Sequence, residues 1–259
     1  MAEVIHWIIV VAAAAVVAGL ALWAGALRLS GAVAATGVGA SVLGFGGVGP
    51  ALVLVFFFAS SSALSAVPGG GPRSARAARQ VLANGGIAAL AAFFYRIHPL
   101  ASVAFLGALA AATADTWATE VGVRLGRTPR SILTFQPRPS GASGAISTPG
   151  TLAAAVGALA VAGTGAWLVA PGGDVALAVA AAGFVGSAVD SVLGDRLQAV
   201  YRCPLCGASP EVARHEDCRV RALRVAGVPG LDNDVVNWIT TLSGAVLALV
   251  LYGLVFRQP

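Results

Sequence analysis

Residues 100–123 read LASVAFLGALAAATADTWATEVGV, an apolar run that places Asp115 and Glu120, with Thr113, Thr116 and Thr119, in its second half. The run is long enough to cross a bilayer, which takes roughly 20 residues. An ionised carboxylate buried in such a segment costs several kcal/mol or more unless it is paired, hydrogen-bonded or bound to a cation. The acids therefore mark a site. The spacing recurs at Asp190-Ser191-Val192-Leu193-Gly194-Asp195, which closes a second apolar run. Both motifs read Asp-[Ser/Thr]-x3-acid.

Working outward, the 259 residues are 58% hydrophobic and 10% charged, with mean hydropathy +0.85. Soluble domains carry about 25% charged residues, so the chain reads as an integral membrane protein. Its apolar runs are near-continuous rather than alternating, which favours helices over a transmembrane barrel. The expected class is all-α and polytopic. All 16 basic residues are arginine. Without lysine there is no Walker A phosphate loop and no Schiff-base chemistry. The net charge of +5 fits arginine-rich cytoplasmic loops, and no nucleic-acid partner is expected.

The spans are expected at Ile5–Trp23, two within Leu29–Val67, then Val81–Tyr95, Leu100–Val123, Thr151–Val169, Val175–Leu193 and Val235–Phe256. Clustered glycines and Pro50 in Gly44–Pro50 disfavour continuous helix and divide the second run. That makes eight spans, or seven if the break is a re-entrant dip. Glu3 with no basic n-region argues against a cleaved signal peptide. The expected organisation is one membrane domain over 1–259 containing a hydrophilic insert, 195–234. Loops 68–80, 124–149 and 194–234 hold three, four and six arginines, 13 of the 16. Two spans separate each loop from the next, so all three are expected on one face. The positive-inside rule makes it cytoplasmic, in the plasma or inner membrane. Both acidic motifs approach that face. Val81–Leu193 then reads as two hairpins in parallel repeat, each with one acidic motif.

On a straight helix Asp115 neighbours Thr119, and Asp115 and Glu120 splay by about 140°. Two matched motifs at one face favour Mg²⁺, held by Asp115, Asp190 and Asp195. The plainer alternative pairs these acids with arginines such as Arg124 and Arg196, merely fastening helices. Ser140–Thr151 is a Gly/Ser loop entering a helix, suited to an anion nest. Ser143, Gly144, Ser147, Thr148 and Thr151, with Arg138 ahead of them, are its candidate ligands; the alternative is a capped linker. In Leu231–Trp238, Asp232 or Asp234 suffices as an N-cap, which leaves Asn233, Asn237 and the second acid for function. Arg79, Gln80 and Asn84 enter from the same face. Cys203-x2-Cys206-x8-His215-x2-Cys218 uses every cysteine. Its spacing suits a structural Zn²⁺ in a reduced compartment, holding together an insert too short for its own core.

Taken together, Ala114–Gly122, Ser147–Thr151, Asp190–Gln198, Leu231–Asn237 and Arg76–Gly85 resemble the signatures of the family catalogued as domain of unknown function ninety-two. That family includes vertebrate transmembrane protein nineteen and the plant and cyanobacterial phytyl-phosphate kinase. The resemblance covers roughly residues 30–250. The loop before Ser147 departs from it, reading Ser-Gly-Ala-Ser-Gly-Ala in place of a richer glycine run. The resemblance implies nucleotide-dependent phosphorylation of a prenyl monophosphate, with ATP or CTP as co-substrate. It also implies distant kinship with polyprenol kinases and CTP-using lipid cytidylyltransferases. On that reading Asp115, Glu120, Asp190, Asp195 and Asp234 are catalytic, and Thr119 and Gln198 join the substrate-binding set. The partners are then the lipid phosphate, the nucleotide and membrane lipids. Two alternatives are a cytidylyltransferase that releases pyrophosphate and a cation-coupled transporter. An impermeant thiol reagent applied to intact cells should leave single cysteines introduced into each of the three arginine loops unlabelled; labelling in any one of them overturns the topology.

Overall fold

A computed structural model describes residues 1–69, 75–208, 213–215 and 218–256. Arg73, counted above among the loop arginines, lies outside them. Among the described residues eight helices follow the expected segments: α1 Ala2–Trp23, α2 Leu29–Ser41, α3 Val48–Ala66, α4 Ala78–Phe93, α5 Ala101–Leu125, α6 Thr148–Leu168, α7 Gly173–Arg196 and α8 Asn233–Leu251. Seven are long and apolar enough to cross a membrane, α2 and α8 counting the turns that extend them; α4, at 16 residues, is the shorter eighth. The Gly-rich break is a π-turn, Val42–Gly46, followed by Gly47 at φ 85°. It reverses the chain rather than dipping. Gly49 is required there, since a Cβ on it would lie 2.1 Å from the Leu168 carbonyl oxygen.

Contacts at the helix ends sort the loops. At one end Arg28 N donates to Arg76 O (3.0 Å), the Arg124 guanidinium reaches Val67 O (2.6 Å), and Arg138 reaches Asp195 (2.7 Å). At the other end Gly49 abuts Leu168, and the Tyr95 hydroxyl donates to Val169 O at 3.4 Å. The described arginine loops therefore share one end of the bundle. Three short antiparallel pairs decorate that end: β1 (Arg130–Ser131) with β2 (Ala145–Ile146), β3 (Val200–Arg202) with β6 (Leu223–Ala226), and β4 (Arg214–His215) with β5 (Val220–Arg221).

α5 is the axis of the bundle and touches α3, α4, α6, α7 and α8. Phe105 through Ala114 is buried without interruption, as expected of a helix apolar all round. Lipid tails are as apolar as these side chains, so small residues that admit close backbone approach hold such helices together. A Cβ on Gly107 would lie 2.4 Å from Gly244 O, and one on Gly244 would lie 2.4 Å from Gly107 O. Gly183 meets Ala110 and Gly186 meets Ala111 in the same manner. These contacts clamp α7 and α8 onto α5. Gly186 is one turn ahead of Asp190, so the clamp sets the distance between the two acidic motifs. Gly244→Leu must therefore push α8 off α5. The expected result is a melting temperature in detergent lowered by several degrees, since overpacking costs about 1–3 kcal/mol; an unchanged melting temperature contradicts the clamp.

Candidate functional site

α5 stays helical from Ala101 to Leu125, so its two acids part company. Asp115 turns to α7, where its carboxyl group lies against that of Asp190. Thr240 of α8, itself buried, donates to Asp190 Oδ1 at 3.0 Å. Among the described residues neither carboxyl group has an ion-pair partner. Two carboxylates in contact cannot both remain bare; a proton or a cation has to lie between them.

The other acids are compensated differently. Glu120 takes Arg124 Nη1 at 2.6 Å and the hydroxyl of Ser65 on α3. Arg124 also donates through Nε (3.1 Å) and Nη2 (2.6 Å) to Val67 O. Glu120 and Arg124 thus fasten α3 to α5. Asp195 stands apart from the Asp115–Asp190 pair. Its buried carboxylate takes Arg138 Nη2 (2.7 Å) and the Ser131 hydroxyl (2.6 Å). Its partner is Arg138, not one of the two arginines, Arg124 and Arg196, that the plainer alternative gave as examples, and the pair ties the 126–147 loop to the end of α7. At the start of α8, Asp232 accepts from Val235 N (3.2 Å) as N-cap and from Arg79 Nη2 (2.7 Å). Asp234 lies 3.4 Å from Arg79 Nε.

The Gly/Ser loop lies across the end of α7. Gly144, at φ 72°, packs on the Asp195 backbone, and a Cβ there would meet Asp195 N at 2.3 Å. Ile132 N donates to Gly144 O at 3.2 Å. Ser143 beside it is half-buried, and Ser147 caps α6 by accepting from Gly150 N at 3.3 Å. Thr148 and Thr151 are exposed, as is Thr119, one turn from Asp115 towards the arginine end. Gln198 Nε2 donates to Asn233 Oδ1 at 3.3 Å and ties the end of α7 to the start of α8. Asn84 turns back on its own helix, Nδ2 to Gln80 O at 3.0 Å, and Asn237 is buried.

The insert carries a second constellation. Ligand atoms of Cys203, Cys206, His215 and Cys218 all lie within 4.8 Å of one another, the one such His/Cys/Asp/Glu cluster among the described residues. Cys206 Sγ is 3.6 Å from His215 Nδ1. Burial raises the Cys203 thiol, but hydrogen bonds from the Cys206 and Leu205 backbone and from the His215 and Cys206 side chains outweigh it and bring it down to about 6. The Cys218 thiol is pushed up to about 12, first by the Cys206 side chain and then by burial and Cys203. One thiolate forms readily and the next is resisted. Three thiols and an imidazole converging in this way are the donor set of a tetrahedral zinc site.

The family description "Integral membrane protein DUF92" matches residues 12–245. The chain belongs to this family. Among curated relatives, an uncharacterised membrane protein of Synechocystis is 33% identical over 150 residues, 57% of this chain and 47% of the relative. Protein PGR of Arabidopsis thaliana is 31% identical over 156 residues, 56% of this chain and 52% of the relative. An uncharacterised membrane protein of Methanocaldococcus jannaschii is 29% identical over 181 residues, 68% and 63% respectively. The chain thus spans about half the length of the first two. No solved structure matches.

In this DUF92 chain three participants were missed from sequence. Thr240 had a signal: Asn237, Thr240, Thr241 and Gly244 form one stripe of α8 at i, i+3, i+4, i+7. Ser65 and Ser131 had none, because only folding brings them to Glu120 and Asp195. For the insert, the purified chain should contain one zinc ion. Cys206→Ser should lower the zinc content and expose the insert to protease; an unchanged content contradicts the assignment.

Proposed function

We propose that the chain is a membrane-embedded, nucleotide-dependent kinase that phosphorylates a prenyl monophosphate to the diphosphate. The observation that carries this reading is the Asp115–Asp190 contact, two acids from the matched motifs facing each other inside the bundle, with no arginine paired to either among the described residues. Its donors are carboxylate oxygens backed by a hydroxyl, a hard oxygen set suited to Mg²⁺. When bound, Mg²⁺ supplies charge neutralisation for nucleotide and acceptor phosphates. Substrate class comes from the motif resemblance, and the cytoplasmic orientation from the arginine loops.

The chain's own groups then divide the work. Thr240 fixes the orientation of the Asp190 carboxylate. Asp195 is a positioning residue: through Ser131 and Arg138 it holds the Gly/Ser loop across the end of α7. Arg79 is exposed between Asp232 and Asp234, where it can exchange a carboxylate for a phosphate. Glu120 keeps α3 against α5. A phosphate oxygen of the acceptor forms the new bond to the γ-phosphorus as the bond to the bridging oxygen breaks, releasing the nucleoside diphosphate. The acceptor is already anionic, so alignment and charge neutralisation govern the rate more than a strong base does.

Mass spectrometry of purified protein incubated with prenyl monophosphates, Mg²⁺ and each nucleotide should show the prenyl diphosphate. Asp115→Asn and Asp190→Asn should each lower turnover by a factor on the order of 10² or more, with zinc content and melting temperature retained. Near-normal turnover in both would make the acids structural. Pyrophosphate and a CDP-lipid formed from CTP would establish the cytidylyltransferase instead. Solute uptake into proteoliposomes without nucleotide would establish a transporter.

A further inference from the structure

The part of the insert that Cys203, Cys206, His215 and Cys218 draw together exposes three arginines around one concavity. Arg214, Arg219 and Arg221, with Ala213, line a hollow of about 380 Å³, within the range of small-ligand sites. Their placement runs against ordinary strand chemistry. Arg214 and Arg221 are direct partners in the β4–β5 ladder, where like charges opposite one another are destabilising. Arg219 is held at φ 54°, a turn conformation that glycine or asparagine adopts with less strain. Among the described residues no carboxylate pairs with any of the three.

This arrangement is anchored at both ends. Arg214 adjoins His215 and Arg219 adjoins Cys218, so the candidate zinc ligands fix the hairpin that carries the arginines. The β3–β6 stem is tied to the helix ends by Ala199 N to Leu231 O (2.7 Å) and Val228 N to Leu197 O (2.8 Å). The hollow therefore stands on the bundle end that carries the arginine loops. Guanidinium groups offer planar paired donors matched to phosphate oxygens, and in a chain without lysine they are its phosphate-binding cations. We propose that Arg214, Arg219 and Arg221 form a phosphate-binding site on the zinc-closed hairpin. The phosphate belongs either to a nucleotide in water or to an anionic headgroup at the bilayer surface. This assignment stands on the insert and does not require the kinase reading.

Binding without turnover tests it. Full-length, zinc-loaded protein in neutral-detergent micelles is titrated by calorimetry with tripolyphosphate and, separately, with dihexanoyl phosphatidic acid. The comparison is wild type against Arg214→Ala/Arg221→Ala, with zinc per chain measured in both. The site predicts saturable binding to wild type that weakens at least about tenfold in the double variant at equal zinc content. It also predicts that added salt weakens binding further, because exposed charges are screened. A loss confined to tripolyphosphate identifies a nucleotide as the source; a loss confined to phosphatidic acid identifies a lipid. If the double variant sheds zinc, Arg219→Gln, outside the strand pairs, makes the same comparison. Unchanged affinity in the variant overturns the proposal. So does absence of binding by wild type.

Discussion

Two carboxyl groups that touch inside an apolar helix bundle are the constraint on which the rest of the molecule depends. Asp115 and Asp190 sit on helices composed mainly of alanine, glycine and valine. Placing bare charge there costs several kcal/mol. That cost is tolerable only if something fixes the helices firmly enough for the two groups to share a compensating partner. Gly107 against Gly244, with Gly183 and Gly186 against α5, supplies that rigidity by backbone contact where no hydrophobic driving force between helices exists. Thr240 then orients one carboxylate from the third helix of the clamp.

The remaining charges are organised around the pair without joining it. Glu120–Arg124, Asp195–Arg138 and Arg79 between Asp232 and Asp234 each bind one segment to another at the arginine end. They tie down α3, the Gly/Ser loop and the start of α8. Arginine serves these roles well, since one guanidinium bonds several acceptors at once; Arg124 joins a carboxylate and two carbonyls. The insert uses different chemistry for the same end. Its own buried apolar cluster is small, Ala199, Tyr201 and Ala222; it is closed by converged thiols and an imidazole, and it roots through Gln198–Asn233 and the β3–β6 stem between the two helices that carry Asp190 and Thr240.

Much of this was legible from the order of residues. Helix count and breaks follow from apolar run length and from Gly44–Pro50, which are local properties. The Cys₃His spacing was likewise local, as was the divergence of Asp115 from Glu120, a matter of 100° per residue. Less legible was how six acids divide between one unpaired contact and several ion pairs. Asp195 closes the motif that Asp190 opens, yet on a straight α7 it points about 140° away from Asp190 and meets a loop whose path no periodicity encodes. Ser131 and Ser65 are ordinary serines until folding brings them to a carboxylate. Arg79 and Asp232 lie 153 residues apart, and nothing in either local sequence names the other.

The central claim, that Asp115 and Asp190 share a divalent cation, is tested most directly by an experimental structure with Mn²⁺ in place of Mg²⁺, read by anomalous scattering. The account predicts a manganese peak between the Asp115 and Asp190 carboxylates, separate from zinc at Cys203, Cys206, His215 and Cys218. Manganese found only at Asp232 and Asp234, or none with the two carboxyl groups still bonded to each other, contradicts it.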